Sequence, residues 1–193
     1  LIRNLEGREK YIGGGEESYG YLPGDYVRDK DAVGSCALVA EVAAWAKDKG
    51  MTLYSLLRKI YSDYGLYREK LINIVRKGKE GADEIKAMMN GYRDTPPTVI
   101  NNSRVVKIDD YELQMSANCI TGEKSRLGLV KSDVLQFFLE DGTKISVRPS
   151  GTEPKIKFYF SVHTGLASPD EYEKTCEILD RRISDVINDM GLA

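Results

Sequence analysis

The chain has 193 residues, 41% of them hydrophobic and 30% charged, with a formal net charge of -2. That length allows one large domain or two small ones, and the slightly acidic balance excludes a general electrostatic attraction for nucleic acid, so any anion site must be a local cluster of donors. A single histidine, His163, and three scattered cysteines exclude a structural zinc site and suit a reducing cytoplasm, while no apolar run reaches membrane-spanning length.

Residues 1 to about 31 are rich in glycine, tyrosine and charge. The breakers Gly13-Gly14-Gly15 and Leu22-Pro23-Gly24 predict loop, with a short strand near Lys10–Ile12. From Ala32 to Lys47, Val33, Ala37, Ala40 and Ala44 recur at helical spacing, joined by Leu38, Val42 and Trp45. This predicts a helix with a broad, well-buried apolar face, ended by Gly50. Thr52 is the expected N-cap of a second helix carrying Leu53, Leu56, Leu57, Ile60, Tyr61 and Tyr64. Gly65 divides the chain into a mainly helical part, 1–65, and a second domain, 66–193.

In the second part Tyr67–Val75 reads as a strand and Ala82–Tyr92 as a helix, interrupted by Asp94-Thr95-Pro96-Pro97. Val105–Ile108 is a further strand. Val134–Glu140 and Thr143–Arg148 flank Asp141-Gly142, the signal of a two-residue hairpin. Ile156, Phe158, Phe160 and Val162 alternate with polar residues, the pattern of a half-buried strand. Ser168-Pro169-Asp170-Glu171 is a capping box before a helix whose stripe runs from Tyr172 through Leu179 and Ile183 to Met190. The order β-α-β-β-β-α gives an antiparallel sheet layered with helices.

Two loops carry chemistry. Arg148-Pro149-Ser150-Gly151-Thr152-Glu153-Pro154 joins two strands. Arg148 offers a planar fork to phosphate oxygens, Ser150 and Thr152 offer hydroxyls, and Gly151 lets successive N–H groups form an anion nest. Lys157 follows on the polar face of the next strand. A hairpin turn with solvated charges has the same composition, and the spacing is not that of a Walker loop. The second loop, Gly13–Gly20, holds Glu16, Glu17 and Ser18 and no lysine, so it suits sugar hydroxyls better than phosphate. In an extended loop Glu16 and Ser18 share one side and Glu17 faces the other; a glycine-rich surface turn is the plain alternative. Arg28-Asp29-Lys30-Asp31 then places Lys30 as a second phosphate anchor, or as part of a helix cap with solvated ion pairs.

Together, Gly15-Glu16-Glu17-Ser18-Tyr19-Gly20, Val27–Ala32 and Arg148–Lys155 resemble the α-D-phosphohexomutases, the phosphoglucomutase and phosphomannomutase family, in a form most like the phosphoglucomutase-2/phosphopentomutase branch. The resemblance implies an α/β remnant of domain 3, mainly helical, over 1–65. It implies an α+β domain 4 over 66–193, with a mostly antiparallel sheet and helices on one face, like the TATA-box-binding protein. Glu16 and Ser18 would bind sugar hydroxyls. Arg148, Ser150, Gly151 and Thr152 would hold the non-transferring phosphate, with Lys30 and Lys157 as further basic contacts. The family's serine segment and aspartate metal loop are absent from this sequence, and the chain starts without methionine, which suggests a fragment. The implied parent is a cytoplasmic, Mg²⁺-dependent phosphoprotein that interconverts hexose 1-phosphate and hexose 6-phosphate through a phosphoserine and hexose 1,6-bisphosphate. Mg²⁺ would be held by the missing domain 2, and the missing N-terminal domains would be partners; neither nucleic acid nor membrane is expected. The fragment alone would be inactive. The alternative is a stand-alone, non-catalytic phosphosugar-binding module.

Overall fold

The computed structural model describes residues 7, 10–16 and 20–193. They form two compact units, Leu1–Lys59 and Ile60–Ala193, and the division falls inside one helix.

In the first unit, β1 (Gly14–Gly15) pairs antiparallel with β2 (Tyr21–Leu22). The strand expected at Lys10–Ile12 does not form; the pairing falls on the glycine run instead, where the Glu16 N–H donates to the Gly20 carbonyl at 2.7 Å. Helix α1 (Ala32–Asp48) starts as read: Asp31 caps it by accepting from the Gly34 N–H at 3.0 Å. Gly50, at φ 70°, ends it. Its burial differs from the expectation. Only Ala46 is buried, and Val33, Val39 and Trp45 are each more than half exposed. The apolar residues of α1 are spread around the helix rather than set in one stripe, so no single neighbour covers them. Helix α2 (Leu53–Tyr64) has the expected cap: Thr52 Oγ1 accepts from the Ser55 N–H at 3.0 Å, and Ser55 Oγ accepts in return from the Thr52 N–H at 2.8 Å.

The second unit is one antiparallel sheet with helices on one face. Its strands are β3 (Leu66–Val75), β4 (Val99–Ile100), β5 (Ser103–Asp110), β6 (Met115–Asn118), β7 (Lys124–Arg126), β8 (Leu135–Leu139), β9 (Lys144–Pro149) and β10 (Lys155–Thr164). They lie in the order β3-β10-β9-β8-β5-β6-β7, with β4 paired to β5. Helix α3 (Gly78–Asp94) is longer than the sequence pattern suggested, and α4 (Tyr172–Asp189) follows a single 3-10 turn, Pro169–Glu171, capped by Ser168. The Asp141-Gly142 turn is a three-residue rather than a two-residue loop. Leu139 N–H bonds Thr143 O at 2.9 Å, and Gly142, at φ 84°, takes the left-handed position.

Alternation makes the core. Ile156, Phe158, Phe160 and Val162 of β10, Ile145 and Val147 of β9, and Leu135 and Phe137 of β8 are buried with Ile85, Met89, Leu179 and Ile183 of the helices. Tyr92 of α3 sets its ring 5.9 Å from Phe137 and 6.1 Å from Phe158. Full burial of Phe137 and Phe158 contributes about 1.5–3 kcal/mol each. The intervening residues, Arg148, Lys155, Lys157 and Tyr159 among them, fall by the same alternation on the opposite face.

Candidate functional site

The sheet register brings the basic residues together. Arg148, near the end of β9, lies directly opposite Lys157 on β10, and Lys157 lies opposite Asn73 on β3. Three adjacent strands therefore present Arg148, Lys157 and Asn73 in one row. Asn73 went unread in the sequence, because only the strand pairing reveals it.

The loop between β9 and β10 is closed by its own backbone. Ser150 N–H donates to Lys155 O at 2.8 Å and Lys155 N–H to Glu153 O at 2.7 Å. Ser150 Oγ accepts from the Thr152 and Glu153 N–H groups at 3.5 and 3.3 Å. The serine oxygen thus organises the loop and leaves its proton for another acceptor. Pro154 O accepts from the Arg76 N–H at 2.9 Å, which fastens the far end of the loop to the end of β3. Gly151 is not in the left-handed region, and a Cβ there would meet open space. The turn itself therefore does not demand glycine at this position, contrary to the curling role expected of it.

Glu153 and Lys155 form an ion pair at 2.6 Å. The Lys155 hydrogen bond and charge, with the Lys157 charge adding, hold the Glu153 carboxyl below the usual carboxylate range.

Ser150, Gly151 and Thr152 line one wall of an open cavity of about 650 Å³, and helix α3 forms the other, with Lys86, Asn90 and Arg93. Arg148 and Lys157 are not part of that lining. Arg93 forms the wall's firmest tie. Its Nε donates to Asp110 Oδ2 at 2.9 Å and its Nη2 donates to Asp133 Oδ1 at 2.5 Å. A cavity of about 620 Å³ elsewhere in the unit, around Tyr67 and His163, contains none of the predicted residues.

In the first unit Glu16 and Lys30 meet. Lys30 Nζ lies 3.5 Å from Glu16 Oε1 and 3.7 Å from Asp29. Gly20 makes room for them: a Cβ there would collide with the Lys30 stem and approach Glu16 Oε2 to 2.9 Å. Ser18, with its neighbour Glu17, lies outside the described residues.

Among the described residues no three His, Cys, Asp or Glu side chains converge on one point. Asp31 is committed to capping α1, and Asp29 accepts from the Lys30 N–H at 2.8 Å. These residues do not fit a Mg²⁺ ion. Among the described residues no helix is long and apolar enough to cross a membrane.

Two models of one protein family match successive stretches of the chain. The family model for phosphoglucomutase/phosphomannomutase alpha/beta/alpha domain III matches residues 2–64, and the one for the C-terminal domain of the same family matches residues 71–167. The chain belongs to the phosphoglucomutase/phosphomannomutase family. A phosphoglucomutase of Staphylococcus haemolyticus is 37% identical over 162 residues, covering 84% of this chain and 29% of the relative. One from Staphylococcus epidermidis is 34% identical over 186 residues, covering 96% and 32%. Among solved structures, the open form of the Paramecium phosphoprotein pp63/parafusin, a phosphoglucomutase, superposes with a TM-score of 0.54 at 15% identity, over 97% of this chain and 32% of that one. The chain therefore spans about a third of the length of the relatives it matches.

Proposed function

We propose that this chain is the substrate-gripping, carboxyl-terminal part of a phosphohexomutase that moves a phosphoryl group between the 1- and 6-positions of a hexose. The observation that carries the reading is the loop from Arg148 to Lys157. Its backbone is closed on itself, its serine oxygen is already engaged, and its cations lie side by side on paired strands.

In this reading Arg148 and Lys157 supply charge to the phosphate that is not reacting, and Ser150 and Thr152 donate their hydroxyl protons. The open space at Gly151 lets a phosphate oxygen approach the loop backbone. Glu16 and Ser18 accept sugar hydroxyls, and Lys30, beside Glu16, neutralises that carboxylate or meets a phosphate. The sugar must be held in two opposite poses, through hexose 1,6-bisphosphate. A loop of several interchangeable donors serves both, because either end of the bisphosphate presents the same dianion.

Catalysis contributed by these residues is positioning. The phosphoserine and the Mg²⁺ site belong to the rest of a longer cytoplasmic protein. The test is kinetic. In the full-length protein Arg148→Ala should lower kcat/KM for hexose 1-phosphate by roughly 10–100-fold, the loss of one charged bidentate contact. The 193-residue chain alone should not interconvert hexose phosphates. An unchanged kcat/KM, or mutase activity in the chain alone, would overturn the reading.

A further inference from the structure

Between Arg148 and Lys157 the chain carries three cations, Arg148, Lys155 and Lys157, and one anion, Glu153. By strand alternation and register the three cations share one face. Glu153 is placed at the end of that row by the same loop that would hold a ligand: its N–H is bonded to Ser150 and its carbonyl to Lys155. Its carboxylate sits on Lys155 at 2.6 Å while remaining mostly exposed.

We propose that Glu153 is a built-in counter-anion of the phosphate loop, which occupies its positive end when no phosphate is bound and weakens phosphate binding by competing for the same cations. This rests on the phosphate-gripping reading of the loop. An exposed ion pair is a weak tie, so a dianion bringing two charges and three acceptor oxygens can displace it. The carboxylate is also tethered, so it returns as soon as the phosphate leaves. A loop that must release one phosphate and accept another in each turnover gains from such a competitor.

The charge of Glu153 makes the prediction specific. Glu153→Gln keeps the side-chain length and a carbonyl acceptor for Lys155 but removes the charge. In the 193-residue chain, titration with inorganic phosphate followed by amide shifts of residues 150–157 should give a Kd roughly three- to tenfold lower for Glu153→Gln than for wild type at low salt, the effect of removing one charge roughly 6–12 Å from a dianion in water. The gap should close as ionic strength rises. Glu153→Asp, which keeps the charge, should bind as wild type does.

If wild type binds phosphate at the loop but Glu153→Gln binds equally or more weakly, the counter-anion role is overturned and the loop reading stands. The same holds if Glu153→Asp tightens binding as much as Glu153→Gln, or if the gap ignores salt. If wild type shows no loop response, or Arg148→Ala binds phosphate as well as wild type, the loop reading itself falls and takes this inference with it.

Discussion

Helix α3 contains two glycines that should respond to the same substitution with opposite signs. Gly81 is buried, and a Cβ built there would lie 2.5 Å from Arg76 Cβ and 2.8 Å from the Arg76 carbonyl carbon. Neither atom is the far end of a flexible side chain, so the backbone itself must give way. Gly91 is exposed, and a Cβ there would meet nothing within 4 Å. In both, alanine gains about 1 kcal/mol of helix propensity over glycine. At Gly81 that gain is set against overpacking of about 1–3 kcal/mol, and with two backbone-attached contacts this short the upper half of that range applies. Gly81→Ala should therefore destabilise the chain by about 1–2 kcal/mol and Gly91→Ala should stabilise it by about 1 kcal/mol, opposite shifts in urea midpoint at unchanged m-value. The displaced residue is also the one whose N–H holds Pro154 O at 2.9 Å. Hydrogen exchange at the Arg76 amide should accelerate in Gly81→Ala and not in Gly91→Ala. Equal stability of the two variants would refute the claim that Gly81 packs directly against Arg76, just past the end of β3. Unchanged exchange at Arg76 would refute its link to the loop.

Arg93 and its two carboxylates should separate by burial. The Asp110 side chain is 10% exposed and that of Asp133 47%. Arg93→Ala leaves Asp110 with only the Glu112 and Leu113 N–H donors and should cost about 3 kcal/mol, the low end for a buried pair that loses one partner. Asp133→Ala should cost about 0–1 kcal/mol in the same denaturation experiment. Tyr92 supplies a pH dependence. Burial raises its phenol above the ordinary value, so the fold favours the protonated form. Its contribution is complete below the unfolded tyrosine pKa of about 10 and is lost as pH rises through the folded value. Tyr92→Phe should flatten the alkaline fall in urea midpoint, and an unchanged slope would exclude Tyr92 as its source.

Much of this architecture was legible in the sequence because local signals agreed. Asp31 and Thr52 cap their helices, Gly50 ends the first of them, and the Ile156–Val162 alternation gives the buried face of β10. Other features depend on partners distant in sequence. Strands β6 and β7 are short and polar, with Ser116, Asn118, Lys124 and Ser125 in place of an apolar alternation. They form at the sheet edge, where Asn118 Oδ1 accepts from the Ile120 and Thr121 N–H groups and shapes the turn. The irregularity between Val105 and Lys107 in β5 resets which side chains face the helices. It sends Asp110 towards Arg93 and Asp109 to the other face with Lys107 and Ser116. No periodicity reading of Val105–Ile108 reveals that switch. The site was readable as a set of donors, but not as a geometry. Register alone aligns Arg148 with Lys157 and Asn73, and it took the closed loop to show Glu153 among the cations.

The most direct measurement is the position of the substrate phosphate in a crystal structure of the full-length protein with hexose 1-phosphate. The account predicts the non-reacting phosphate within hydrogen-bonding distance of the Arg148 guanidinium and the Ser150 and Thr152 hydroxyls, with Glu153 withdrawn from Lys155. A phosphate bound elsewhere, with Arg148 and the 150–152 loop facing solvent, would contradict it.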